Sequence, residues 1–145
     1  GGLANRKAPR IKGILNEIHA SQGSLDLEWV ADLPDSKALN YLMRFDGVGR
    51  KTAACVLMFA LGRPVMPVDT HVYRVSKRLG LIGDVTVEQA HDLLREMVPP
   101  ERVYSLHVNM VTHGRQMCTA RHPKCEICVL GKECRCVVRE AEARR

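Results

Sequence analysis

Four cysteines near the C-terminus, Cys118, Cys125, Cys128 and Cys134, stand at the spacing C-x6-C-x2-C-x5-C. Four thiols within 17 residues can converge on one inorganic centre, whereas disulfide frameworks spread their cysteines along the chain. Two centres take four cysteine thiolates: tetrahedral zinc and a cubane iron–sulfur cluster. Zinc ribbons pair two C-x2-C knuckles across a longer insert. Here there is one knuckle, Cys125-Glu126-Ile127-Cys128, with unequal arms of six and five residues, so the spacing favours the cluster. Cys55 and Cys136 are left over. Cys55 reads as a small buried apolar residue, and Cys136 as a bystander able to substitute as a ligand.

A second group of residues lies in Gly47-Val48-Gly49-Arg50-Lys51-Thr52. One helical pattern ends before it and another begins at once. The glycines free the backbone and let a ligand approach its amides closely. Unpaired N–H groups at a helix start form an anion site suited to a DNA phosphate. Lys51-Thr52 matches the end of the nucleotide-hydrolase phosphate loop, but Arg50 stands where that loop requires glycine and a helix, not a strand, precedes it. Lys51 lies in the first turn of its helix, where the positive end of the dipole disfavours the ammonium form. Neutral lysine is the form that amine nucleophiles use, although on this residue alone a phosphate contact or a solvated side chain explains it as well. Further on, Val68-Asp69-Thr70-His71 places a carboxylate where a helix N-cap belongs.

The elements that must position these groups are helical throughout. Ile11, Ile14, Leu15 and Ile18 recur at helical spacing after Pro9. Asp35 or Ser36 is expected to cap a short helix through Leu39, Leu42 and Met43. Residues Arg50 to Leu61 are apolar almost all round and predict a buried central helix, stopped at Gly62. Asp69 opens the next helix, with Val72, Val75 and Leu79 inward and Gly80 as its stop. Thr86-Val87-Glu88-Gln89 is a capping box for a helix that turns Ala90, Leu93, Leu94 and Met97 inward. After Pro99-Pro100, Glu101 to His113 predicts a last helix ending at Gly114. The fold class is all-α, with a helical domain over 1–113 and a metal-stapled loop with a basic tail over 114–145.

The chain has 145 residues, 46% of them apolar and 4% aromatic, enough for a core. Its net charge of +6 points to a polyanionic partner, most simply nucleic acid. Arg115, Arg121, Lys124, Lys132, Arg135, Arg139, Arg144 and Arg145 crowd the cysteine segment. No run approaches the roughly 18 apolar residues of a membrane span. A thiolate-held cluster persists where disulfides are rare, so the expected setting is an intracellular, reducing compartment, cytoplasm or nucleus, and the expected state a monomer.

Gly47-Val-Gly-Arg-Lys51-Thr-Ala, Val68-Asp69-Thr-His71, His113-Gly-Arg115 and the four-cysteine loop, in this order, resemble the endonuclease III family of helix-hairpin-helix DNA glycosylases. The resemblance covers essentially the whole chain. It implies that Lys51 is the amine nucleophile, that Asp69 assists catalysis, and that Cys118, Cys125, Cys128 and Cys134 hold a 4Fe-4S cluster. It also implies that Gly47, Val48, Gly49, Arg50, Thr52, His71, Arg121 and Lys124 contact double-stranded DNA carrying damaged bases or abasic sites. The implied activity is a bifunctional glycosylase and lyase acting on oxidised pyrimidines. Two alternatives are a non-catalytic helix-hairpin-helix module with a structural metal, and a 5-methylcytosine-type glycosylase. The stretch Gly23-Ser-Leu-Asp-Leu-Glu-Trp29 looks like the plant enzymes of the latter type. Two departures stand out. Phe45-Asp46 replaces the usual Leu-Pro before the hairpin, and family members carry roughly a hundred residues before the point matching Gly1, the size of a small domain.

Overall fold

In a computed structural model the described residues, 3–137, are helical, without a strand among them. The basic tail from Arg139 onward lies outside the described residues. The chain forms two compact units, Gly1–Arg63 and Pro64–Arg145.

The first unit opens with α1, Ala4–Gln22, which starts before Pro9 and contains it. Proline drops one backbone bond without ending the helix, because the bonds of the turns on either side carry it through. Of the apolar stripe read from the sequence, only Ile18 is buried, while Ile11 and Leu15 are 55% and 43% exposed. A short 3-10 turn, Glu28–Asp32, buries Val30 and leads into α2, Asp35–Met43. The expected side-chain cap of α2 is absent: Pro34 occupies the N-cap, and Asp35 pairs with Arg63 instead. Arg63 also donates to the carbonyls of Ala31 and Leu33, the latter at 2.8 Å. A guanidinium's fork satisfies several acceptors at once, so the long-range partner displaces the local cap.

An aromatic hinge joins α1 and α2. Trp29 meets Tyr41 edge to face with ring centroids 4.7 Å apart, and Tyr41 meets Phe45 likewise at 5.6 Å. Gln22 bridges them, accepting from Trp29 Nε1 at 2.9 Å and donating to Tyr41 Oη at 2.6 Å. Phe45, at 3% exposure, anchors the entrance to the hairpin.

The helix α3, Arg50–Cys55, runs on into a π turn, Val56–Ala60, marked by Leu61 N donating to Val56 O at 3.2 Å. It buries Ala53, Ala54, Leu57 and Met58, but Phe59 is 54% exposed. The expected burial all round is therefore one-sided. Gly62, at φ +62°, ends it as predicted.

The second unit is built on α4, Thr70–Leu79, α5, Val87–Met97, and α6, Val103–Gln116. Gly80 stops α4 in the left-handed region at φ +82°. The capping box forms as read: Gln89 N donates to Thr86 Oγ1 at 3.2 Å, and Thr86 N to Gln89 Oε1 at 2.9 Å. The inward face of α5 is Ala90, His91 and Leu94, while Leu93 and Met97 are exposed. The stripe is one residue narrower on each turn than its apolar content predicts, and His91 takes a core position.

The last helix passes straight through Gly114, which is buried rather than terminal. A Cβ on Gly114 would sit 2.8 Å from His71 Cβ. Glycine is needed there because α4 and α6 approach too closely for any side chain. A helix-interior glycine costs about 1 kcal/mol against alanine, and the close packing is what that cost sustains.

Candidate catalytic hairpin and cysteine-lined cavity

The hairpin is a tight turn. Val48 N donates to Phe45 O at 3.0 Å across Asp46-Gly47, and Gly47 takes φ +72°. That conformation at the third turn position is the one glycine supplies. Gly49, the N-cap of α3, is different. Its φ of −88° and ψ of 175° suit any residue, and a Cβ there would meet nothing within 4 Å. Neither backbone strain nor packing within the described residues requires glycine at 49. Lys51 and Thr52 follow, both exposed, while Val48 and Arg50 are half-buried. All six candidate hairpin residues thus share one short stretch of the first unit.

Asp69 and His71 lie in the second unit, at the start of α4. Asp69 is the N-cap: its Oδ1 accepts from the amides of His71 at 2.9 Å and Val72 at 2.8 Å. Among the described residues, Oδ2 has no partner. His71 is half-buried, with Nδ1 3.1 Å from Arg74 Nη2. Arginine only donates, so Nδ1 accepts and the proton of a neutral ring sits on Nε2.

The cysteine loop folds against α4 and α6. Lys124 N donates to Met117 O at 2.9 Å and Thr119 Oγ1 to His122 O at 2.6 Å, closing the first arm on itself with Arg121 and Lys124 exposed. The Cys-x2-Cys knuckle forms one 3-10 turn, Cys125–Ile127, with Cys128 N bonded to Cys125 O at 3.2 Å. Two sulfurs therefore do come from a single turn. Cys118, Cys125, Cys128 and Cys134 line one cavity of about 890 Å³, together with Cys136 and His113. His113 Nε2 is 3.8 Å from Cys128 Sγ. The fifth thiol, read as a bystander, shares the space with the other four.

Two arginines missed in the sequence hold this loop. Arg74 donates to the carbonyls of Gly114 and Cys118, each at 2.9 Å. Arg78, one turn later, donates to Thr119 O at 2.7 Å, to Ala120 O at 3.0 Å and to Cys118 Sγ at 3.2 Å. The available signal was two arginines four apart on a helix with an apolar opposite face, a pattern usually solvated. Four thiols, an N–H donor to one of them and a roomy cavity fit an iron–sulfur centre. Hydrogen bonds to the sulfurs and cluster environment are what tune such a centre.

No helix among the described residues is long and apolar enough to cross a membrane. The profile of the HhH-GPD superfamily base excision DNA repair protein matches residues 1–100, and that of the iron-sulfur binding domain of endonuclease III matches residues 118–134. The chain is 35% identical to the DNA glycosylase/AP lyase ROS1 of Arabidopsis thaliana, over 92% of this chain and 11% of that protein. It is also 35% identical to endonuclease III of Thermotoga maritima, over 92% of this chain and 58% of that one. A solved non-covalent endonuclease III–DNA complex superposes with a TM-score of 0.78 at 34% identity, and a trapped endonuclease III–DNA covalent intermediate with the same score at 35%. Each covers 97% of this chain, which in turn spans 62% of each solved chain. The chain belongs to the HhH-GPD superfamily of base excision DNA repair proteins, and its cysteine loop matches the iron-sulfur binding domain of endonuclease III.

Proposed function

We propose that this chain carries the catalytic residues of a bifunctional DNA glycosylase and abasic-site lyase that acts on oxidised pyrimidines in double-stranded DNA. The observation that carries the reading is Lys51, exposed on the helix directly after the Gly47–Gly49 turn in a chain of this superfamily. A superfamily member with an amine at that place has the nucleophile for imine chemistry, whereas a simple binding hairpin would use the lysine as a phosphate contact.

The damaged nucleotide flips out of the duplex, at a cost of a few kcal/mol in stacking. Neutral Lys51 attacks the sugar C1′ as the bond from C1′ to the base breaks, and the base leaves with that electron pair and takes up a proton. Asp69, as carboxylate, would stabilise the positive charge developing on the sugar, with Oδ1 already engaged in the cap. Loss of the second amine proton with opening of the sugar ring gives an imine between Lys51 and C1′. The imine acidifies the C2′ proton. Its removal expels the 3′ phosphate and nicks the strand. The amides at the start of α3 hold a backbone phosphate, His71 offers Nε2–H, and Arg121 and Lys124 add a salt-sensitive phosphate contact.

Cys118, Cys125, Cys128 and Cys134 would hold an iron–sulfur cluster of the 4Fe-4S type, supported by the match of residues 118–134 to an iron-sulfur binding domain. The single C-x2-C knuckle with unequal arms of six and five residues favours the cluster over a zinc ribbon's paired knuckles. When bound, the cluster cross-links the loop and so fixes its basic residues. The protein acts as a monomer in a DNA-containing, reducing compartment.

A second reading, a 5-methylcytosine-type glycosylase, has support in Gly23–Trp29 and in the similarity to ROS1. Lys51 and the cluster serve both.

Borohydride trapping on duplexes containing thymine glycol, 5-methylcytosine or an abasic site tests the assignment, with Lys51→Ala beside the wild type. The expected result is a covalent adduct on thymine glycol and abasic DNA, lost in Lys51→Ala. Nicking should fall by at least about a thousandfold, while affinity changes less than about threefold. An adduct on 5-methylcytosine would move the substrate to the second reading. A Lys51→Ala protein that still nicks would remove the lysine from the mechanism.

A further inference from the structure

Asp46 poses an electrostatic problem that the fold answers with Arg10. A carboxylate 84% exposed in its side chain stands at the first central position of the hairpin turn, beside the amides read as the phosphate site. Left alone it would repel a polyanion. Arg10, from α1, donates Nε to Asp46 Oδ2 at 2.9 Å. Its guanidinium also lies over Gly47, filling the place a Cβ would take. The side chain is 44% exposed, and among the described residues its two Nη groups have no partner. Four N–H donors on a planar cation are therefore held at the hairpin tip by a carboxylate on one edge and a glycine beneath.

We propose that Arg10 is a DNA-phosphate contact of this hairpin, delivered from a different helix and oriented by Asp46. The proposal deepens the DNA reading of the hairpin and rests on it. An arginine fork suits a phosphate because two parallel N–H bonds match two phosphate oxygens. The competing account is a plain ion pair tying α1 to the turn. Such exposed pairs contribute little to stability, so the two accounts separate cleanly in binding.

The experiment is fluorescence anisotropy of a duplex carrying a stable abasic-site analogue, at several salt concentrations. The proteins are wild type, Arg10→Ala, Arg10→Lys, Asp46→Asn and the double variant Arg10→Ala/Asp46→Asn, each checked for an unchanged melting curve. Arg10→Ala is expected to bind about tenfold more weakly near 0.1 M salt, and its plot of log affinity against log salt to be shallower by about one. Arg10→Lys should recover the slope and part of the affinity. The double variant should bind several-fold more weakly than Asp46→Asn. If the double variant matches Asp46→Asn, Arg10 only neutralises Asp46 and the proposal fails. An unchanged salt slope in Arg10→Ala overturns it too. Wild type that binds no DNA overturns the hairpin reading along with the proposal. Wild type that binds while Arg10→Ala matches it sinks the proposal alone.

Discussion

The hairpin and the cysteine loop are both short, glycine-containing and basic, yet they are held in opposite ways. The hairpin is shaped by covalent geometry and apolar anchors: a positive-φ Gly47, a turn bond from Val48 to Phe45, and buried Phe45, Ala53 and Ala54 on either side. The loop buries little. Cys125, Lys124 and Ile127 are exposed, and its order comes from hydrogen bonds to α4 and from thiols around a cavity. One element is preorganised by the chain itself. The other is half-built by the chain and completed by what the thiols bind.

Removing the iron should separate them most sharply. On chelation, or in Cys128→Ser, the amides of Cys128 and Gly131, bonded only within the knuckle, should lose hydrogen-exchange protection. The amide of Cys118 donates to His113 O at 2.8 Å, and its carbonyl is gripped by Arg74, so this arm should stay protected. Val48 and Ala53 in the hairpin should not change. Equal loss at hairpin and loop would mean that the centre stabilises the entire fold and that the contrast is false.

What sequence reading captured and what it missed follow the same line. Thr86 with Gln89, Asp69 with the amides of His71 and Val72, and the glycines at 62 and 80 act within a few residues, and each was legible because its partner lies close by in the chain. Asp35 was read as a cap and lost to Arg63, 28 residues away. Gly114 was read as a helix stop and serves a contact with His71, 43 positions earlier. Arg74 and Arg78 drew no reading from the sequence and reach carbonyls 40 or more residues on. The candidate site residues were legible as three separate short motifs, Gly47 to Thr52, Asp69 with His71, and the cysteine loop, each carried by neighbouring positions. The arginines that hold the cysteine loop were not, because their partners are distant carbonyls with no pattern of their own.

The next effect in size lies at Gly114. Replacing it by alanine should gain about 1 kcal/mol of helix propensity but push a methyl group into the Cβ of His71, which is close to backbone and cannot swing away. Overpacking of this kind costs about 1–3 kcal/mol. The net expected change is a loss, with Gly114→Val worse than Gly114→Ala in a urea melt. A more stable Gly114→Ala would show that α4 and α6 separate easily, and that Arg74, rather than the close packing, joins them.

Gly47 comes third. Alanine there must adopt the left-handed region, at about 1–2 kcal/mol. The displaced neighbour is the flexible end of Arg10, which can move at little cost. Gly47→Ala should therefore lower stability by about that amount and no more. A much larger loss would mean that the turn cannot form at all without glycine and that the hairpin unfolds as a unit.

Gly49 should give the smallest change in stability, which is why it is informative. Its backbone angles are ordinary and its surroundings open, so Gly49→Ala is expected to alter the melting free energy by no more than about 0.5 kcal/mol. Its added methyl group, however, would stand at the start of α3, where the hairpin reading brings a phosphate against the amides. Affinity for duplex DNA should fall several-fold while the fold is untouched. Paired with Gly47→Ala, the variant divides two reasons for a glycine: one is paid in folding and the other in binding. A Gly49→Ala protein with wild-type affinity would leave the glycine without a physical account and would move the phosphate away from this end of the hairpin, toward Arg10 and the side chains that follow.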